Sequence, residues 1–257
     1  MVPTFKMHGS KARTARWICS HMPRNFSRWI EPFAGRGNVF FRAASCLRFD
    51  TAVLNDLNMS PFLTALRDYN GDWSFVDAGE LGKPQWERWK NASPSHERAL
   101  AESYVARFGS SYETGPTKAG GSSKNGHSRD NTIRRMKAAQ VLLNEKNARI
   151  SDVDWLMFLQ SQSFGKGDVV YLDPPYNVKQ NVHFGNVDHN QLLETVRRLS
   201  TKCQVFLSGY STRLYEEQLY DWCRSTRVRA SVGKGVSAKG AKGKKPKVTE
   251  VLWYTMP

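Results

Sequence analysis

Cysteine is scarce in this chain, and the four present, Cys19, Cys46, Cys203 and Cys223, form no CxxC and no Cys/His ligand spacing. That excludes a disulfide framework and a zinc knuckle, and leaves buried or incidental thiols in a reducing compartment. No apolar run approaches the ~20 residues that cross a bilayer. The leading "MVPTFKMHGSKARTARW" has no apolar signal-peptide core. A soluble protein made in the cytoplasm is the expectation. Acidic residues are also short, 23 against 38 Lys and Arg over 257 residues, for a net charge of +15. Such an excess asks for a polyanionic partner, and with no basic amphipathic helix to favour a membrane surface, nucleic acid is the expected one. No internal repeat is present, and no GxGxxG, so a dinucleotide fingerprint is unsupported.

Hydrophobic residues make up 40% and aromatics 12%, enough for a substantial core. The first part alternates strands and helices. "KARTARWICSHM" reads as a helix over 11–22, "RWIEPF" as a strand, "NVFFRAASCL" as a helix and "TAVLN" as a second strand. "SPFLTALRDY" is a helix with a Ser cap and Pro61 in its first turn. This alternation predicts a parallel sheet with right-handed crossovers. From 71 to 147 the character changes. Helical stretches "SHERALAESYVARF" and "RDNTIRRMKAAQVLLNEKN" flank "GSSYETGPTKAGGSSKNGHS", a Gly, Ser and Lys-rich stretch expected to be a mobile loop. The sheet then resumes with "ARIS", a helix at "DWLMFLQS", the strand "VVYL", the helix "DHNQLLETVRRLS" and the strand "CQVFLSGY". "TRVRASV" and "KVTEVLWYT" are expected to pair as a hairpin at an antiparallel edge. The fold class is α/β with a mixed sheet, 1–70 and 148–257 forming one domain and 71–147 an insertion.

Four stretches carry chemistry. In "EPFAGRG" a glycine turn follows the first strand, as a close backbone approach to a ligand requires, although a tight strand–helix connection needs the same residues. Asp56 ends the second strand about twenty residues on, where a carboxylate can take ribose hydroxyls or cap the next helix. In "VVYLDPPY" Asp173 and two prolines stop a buried strand, holding a carboxylate, a carbonyl and the ring of Tyr176 rigidly at its tip. Tyr171, just before, is expected in the core. All three stretches fall at strand carboxyl ends, where open α/β sheets bind ligands. The fourth, "HGSKART", opens the chain.

In this order, "GSK", "EPFAGRGNVF", "NDLN", "YLDPPYN", "FGNVDHNQLLETV", "FLSGY" and "KVTEVLWY" resemble the Dam-like family of DNA adenine-N6 methyltransferases over nearly the whole chain except the insertion. The resemblance implies a Rossmann-like methyltransferase domain with a mainly helical target-recognition insertion. It implies S-adenosylmethionine as cofactor and transfer of its methyl group to N6 of an adenine flipped out of double-stranded DNA, with no metal. By position Met7, Lys11, Glu31, Phe33, Gly35 and Gly37 would hold the methionine end and Asp56 the ribose. Asp154 and Trp155 of "DVDW" would lie beside the cofactor adenine, and Asp173 faces both cofactor and base. Where the family often has an aromatic residue before this Gly-x-Lys, the chain has Met7 and His8. Asp173, Pro174, Pro175 and Tyr176 would be catalytic, the acceptors taking the amino N–H bonds and the tyrosine stacking on the base.

DNA contacts are expected in two places. In the insertion, Arg107, Tyr112, Lys118, Lys124, Arg129, Arg134 and Arg135 are candidates for reading bases. In "GKGVSAKGAKGKKPK", Lys234, Lys239, Lys242, Lys244, Lys245 and Lys247 would bind phosphates, and family members carry a DNA-contacting hairpin here. His183 and His189 read as solvated or helix-capping. A restriction-modification role, with a cognate restriction endonuclease, is compatible with a bacterial or phage origin. An RNA base N-methyltransferase is the alternative within enzymes, since positive charge does not tell DNA from RNA. A catalytically silent nucleic-acid-binding protein of the same fold is the alternative outside them, with a nicotinamide dehydrogenase a distant third.

Overall fold

The computed structural model describes residues 1–5, 11–71, 73, 114–115, 118–119, 129–175, 187–230 and 247–256. Two compact units divide between Val169 and Val170.

The first unit holds α1 (Ala15–Cys19), β1 (Arg28–Glu31), α2 (Asn38–Cys46), β2 (Thr51–Asn55) and α3 (Ser60–Asp68). The short strands β3 (Thr114–Gly115) and β4 (Lys118–Ala119) follow, then α4 (Arg129–Glu145), β5 (Arg149–Ser151) and α5 (Trp155–Gln160). Its sheet runs β5-β2-β1 and on to β6 (Asp168–Leu172), within which the division falls. β1 with β2, and β2 with β5, are parallel, Ile30 opposite Val53 and Leu54 opposite Ile150. Parallel strands need crossovers that cover them, and β1 and β2 are accordingly almost wholly buried, while β5 at the edge is exposed or half-buried. The second unit carries the rest of β6, α6 (His189–Ser200), β7 (Gln204–Tyr210), α7 (Arg213–Gln218), β8 (Cys223–Ala230) and β9 (Lys247–Tyr254). Here the order is β6-β7-β9-β8, with β9 antiparallel to both of its neighbours. The sheet is mixed, mostly parallel with C-terminal antiparallel strands, the α/β class expected.

Local chemistry accounts for the boundaries. Asp154 caps α5, Asp188 caps α6 and Thr212 caps α7, each side chain accepting from an N–H of the first turn. The helix expected over 11–22 is α-helical only over Ala15–Cys19. Thr14 supplies no side-chain cap, and Ser20 Oγ and His21 Nδ1 both bond the Trp17 carbonyl, ending the ladder early. Ser60 does not cap α3 but is its first residue, its hydroxyl bonding the carbonyls of Asp56 and Ser151. No expectation covers α7, because Tyr215 is the one buried residue among its six and no apolar period marks it. Within the stretch expected to be a mobile loop, β3 and β4 pair antiparallel.

The core of the first unit is aromatic. Phe5 is fully buried, with the rings of Phe62 and Phe41 at 5.2 and 5.8 Å, and Phe26 stacks on Phe49 at 4.9 Å. Asn38 pins the leading segment through reciprocal 2.8 Å bonds with the N–H and C=O of Phe5. α4 buries Met136, Ala139 and Leu143, while Gln140 and Asn144 donate to the carbonyl of Arg67 at the end of α3.

Candidate functional site

The first unit gathers three strand ends. After β1 the chain turns through Gly35 and Gly37, both at positive φ (53° and 71°), a region glycine enters without strain. A Cβ on Gly37 would also come within 2.9 Å of the Phe41 ring, so the cradle requires glycine twice over. After β2, Asp56 reaches back: its Oδ2 accepts the Gly35 N–H at 2.8 Å, and its Oδ1 accepts those of Asn58 and Met59 at 2.9 and 2.8 Å. The carboxylate therefore both caps the chain entering α3 and fixes the glycine turn.

Asn55, beside it, went unnoticed in the sequence. It is 1% exposed and makes four bonds. Its Nδ2 donates to the carbonyls of Pro32 and Val153 (3.2 and 2.9 Å), and its Oδ1 accepts from Ser151 Oγ and the Val153 N–H (2.8 and 3.1 Å). Every donor and acceptor position of one amide is thereby used to tie the ends of β1, β2 and β5 together. No periodicity signals such a residue, because its partners lie up to 98 positions away.

The remaining candidates of this unit fall on the same ends. Glu31 is buried, and its Oε2 accepts the Trp29 indole N–H at 2.9 Å from two residues back on the same strand face. Lys11 is 4% exposed. Asp154 is exposed, capping α5 through Oδ1, and the Trp155 ring lies 5.9 Å from that of Phe33. Arg36, between the two glycines, is almost fully buried, and desolvation pulls its guanidinium down to about 9. Met7 lies outside the described residues.

In the second unit, β6 is apolar and buried throughout, and Tyr171 sits in the core as expected, its hydroxyl 2.9 Å from Ser208 Oγ. Asp173, half-buried, follows the strand at once, then Pro174 (buried) and Pro175. Tyr215, 3% exposed, feels the Asp173 carboxylate: burial first and that negative charge second push its phenol well above the usual range. The Tyr215 hydroxyl is 2.7 Å from His189 Nδ1. His189 is thus neither solvated nor a cap; it opens α6 half-buried, and desolvation favours its neutral form. Tyr176 and His183 lie outside the described residues.

Of the DNA candidates, Arg134 is exposed on α4, and Arg135 is partly buried, which lowers its pKa. Lys118 falls in β4, Arg129 opens α4 and Lys247 opens β9. Arg107, Tyr112, Lys124, Lys234, Lys239, Lys242, Lys244 and Lys245 lie outside the described residues. Among the described residues no helix is long and apolar enough to cross a membrane, and no cluster of His, Cys, Asp or Glu could hold a metal ion.

A mixed α/β sheet with a glycine turn and an acidic residue at its strand ends is the arrangement expected of an S-adenosylmethionine-dependent methyltransferase. The family follows from the sequence: the model for the D12 class of N6 adenine-specific DNA methyltransferases matches residues 8–229, and the chain belongs to that family. Among solved structures it is similar to a methyltransferase from Streptococcus mutans in complex with SAH, at 6% identity over 95% of this chain and 98% of that one, with a TM-score of 0.39. It is similar too to a SAM-dependent methyltransferase from Agrobacterium tumefaciens, at 12% identity over 95% and 61%, with a TM-score of 0.43. No curated protein matches it. The enzyme transfers a methyl group from S-adenosylmethionine to the N6 amino group of adenine in DNA. The residues present fit that cofactor: a glycine turn, a carboxylate just after β2 and an aromatic pair at Phe33 and Trp155.

Proposed function

We propose that the reaction runs on an adenine flipped out of duplex DNA, with its amino group held by Asp173 and the carbonyl of Pro174. The observation that carries this reading is a carboxylate and two prolines placed directly at the end of the fully buried strand β6. An exocyclic adenine nitrogen is a weak nucleophile because its lone pair is delocalised into the ring. Two fixed acceptors on its N–H bonds let the nitrogen pyramidalise and direct the lone pair, and they sit where positive charge develops. The cofactor supplies the electrophilic methyl group. Tyr176 is assigned the stacking face for the extruded base on its position in the motif.

Cofactor binding belongs to the first unit. Met7, Lys11, Glu31, Phe33, Gly35 and Gly37 are assigned to the methionine end, and Asp56 to the ribose. A carboxylate offers about four acceptor sites, three of which backbone N–H groups occupy in Asp56, so one is left for a hydroxyl. Trp155, with Phe33 beside it, is assigned to the cofactor adenine ring and Asp154 to its amino group. Target recognition is assigned to residues 71–147 with α4 as their base, and phosphate binding to the lysines between β8 and β9. The enzyme would act in the cytoplasm of a bacterium or a phage-infected cell, where a cognate restriction endonuclease is a compatible partner.

Flipping is tested with duplexes carrying 2-aminopurine at the methylated position. The expected result is a rise in fluorescence on binding, because the probe leaves the stack. Unchanged fluorescence with a bound, methylatable duplex, or faster methylation of structured RNA than of duplex DNA, would overturn the reading.

A further inference from the structure

The last carbonyls of a helix have no partner within it. At the end of α3, those of Arg67 and Tyr69 are taken by side chains of α4. Gln140 Nε2 donates to both, at 3.4 Å to the Arg67 carbonyl. Asn144 Nδ2 donates to the Arg67 carbonyl at 3.1 Å and to the Gln140 carbonyl, one turn back, at 3.0 Å. The bonding also runs the other way. Arg67 Nη1 donates to the Ala148 carbonyl, just past α4, at 2.9 Å, while its Nε and Nη2 hold Asp68 at 2.6 and 2.8 Å.

The chain leaving α3 is fixed at the same place. Tyr69 and Trp73 are both buried, their rings edge to face with centroids 4.6 Å apart. Gly71 lies between them, and a Cβ there would come within 2.6 Å of the Tyr69 hydroxyl oxygen and 2.8 Å of its Cζ. Any larger residue would displace the buried tyrosine ring. The start and the return of residues 71–147 are thus held at one point, the C-terminal end of α3.

Apolar burial and hydrogen bonds act differently on α4. Met136, Ala139 and Leu143 are fully buried and hold the helix, which packs on α3. Such contact is non-directional and does not by itself fix a helix along or about its axis. Gln140 is half-buried and Asn144 exposed, where neutral amide bonds contribute little to folding. Their geometry is directional, however, and admits one placement. Arg134 and Arg135 stand about 8–9 Å up the helix from Gln140, so that placement decides where they point of attachment to the helix lies. We infer that Gln140 and Asn144 are positioning residues for DNA recognition: they latch α4 to the end of α3 and so set where Arg134 and Arg135 meet the duplex. The latch rests on the assignment of recognition to residues 71–147. Neither amide touches DNA in this account; both act through the helix.

The test uses the full-length enzyme and the duplex that sequencing of modified DNA shows wild type to methylate, beside duplexes altered at one base pair. Gln140→Met keeps the side-chain length and removes its donors; Gln140→Lys restores a donor of similar reach. A mismatched base pair costs about 5- to 150-fold in affinity. Gln140→Met should therefore shrink the ratio of kcat/KM between cognate and altered duplexes about fivefold or more, mainly through a higher KM for the cognate one. Cofactor affinity and melting temperature should stay near wild type, and Gln140→Lys should recover most of the ratio. Asn144→Ala, at an exposed position, should act as Gln140→Met does and serves in its place if that variant folds poorly. A folded variant with the wild-type ratio overturns the latch. So does a loss equal for all duplexes, a loss confined to melting temperature, or a Gln140→Lys enzyme no better than Gln140→Met. The double variant Arg134→Ala/Arg135→Ala separates the two levels. If it loses discrimination while Gln140→Met keeps it, the latch alone falls; if it binds and discriminates as wild type does, the assignment of recognition to these arginines falls as well.

Discussion

Asp56 carries three backbone N–H groups on one carboxylate, so its removal cannot be a clean loss of ligand contact. Asp56→Asn keeps one acceptor oxygen but turns an NH2 group toward either the Gly35 N–H or those of Asn58 and Met59. A charged hydrogen bond contributes about 1.5–3 kcal/mol, so cofactor affinity should fall roughly 10- to 100-fold. Calorimetry checks this, with DNA affinity as the control; an unchanged cofactor affinity would move the ribose contact elsewhere. The cysteines make a second residue-scale case. The sequence reads them as buried or incidental, yet Cys46 is exposed, and the influence of the Cys19 thiol lowers its pKa. Cys46 should therefore be the first thiol alkylated by iodoacetamide at pH 7, read by peptide mass spectrometry. Equal labelling of Cys203 would contradict the pairing. Spacing made Asp56 legible, because a strand end after a glycine turn is a position that sequence can mark. Contacts between elements, such as Cys19 with Cys46, leave no such mark.

Strands β1, β2 and β5 are aligned by their ladders, but their ends are tied by the Asn55 side chain. Asn55→Ala would leave the carbonyls of Pro32 and Val153 and the Val153 N–H short of a partner in a buried place. Unsatisfied buried groups cost about 1–3 kcal/mol each, and relaxation recovers part, so a loss of roughly 2–3 kcal/mol in denaturant unfolding is expected. A variant as stable as wild type would mean that the loops hold themselves. At this scale the sequence was most readable where a helix is amphipathic over several turns or a strand is continuously apolar. The amphipathic α6 and the buried β6 stand where their patterns put them, and β8 and β9 pair as a hairpin. Helix bounds without an apolar period were not legible, since α7 buries only Tyr215 and α1 is cut short by side chains competing for its carbonyls. The pairing of His189 with Tyr215 was hidden for a similar reason: the two come from different helices.

Over the whole molecule, a charge of +15 makes DNA affinity a salt-dependent property. Each phosphate contact adds about 0.9 to the slope of log K against log salt, so replacing Lys242, Lys244 and Lys245 by Gln should reduce that slope by up to about 3. Affinity for all duplexes should weaken alike, with the methylated sequence unchanged, because phosphates carry no base identity. A variant with its salt slope intact but new methylation sites would make these lysines the reader in place of residues 71–147. The order of the strand-end motifs along the chain made fold and reaction legible together, whereas the recognised DNA sequence depends on side-chain contacts that no motif encodes.

The most direct measurement is the rate at which N6-methyladenine forms in duplex DNA incubated with S-adenosylmethionine and either wild-type or Asp173→Ala enzyme, by mass spectrometry of released nucleosides. Wild type should form N6-methyladenine, and Asp173→Ala should form it at least about 10²-fold more slowly with cofactor affinity retained, the expected cost of one lost acceptor in a preorganised site. An Asp173→Ala enzyme that methylates at a near wild-type rate would contradict the assignment of that carboxylate to the amino group.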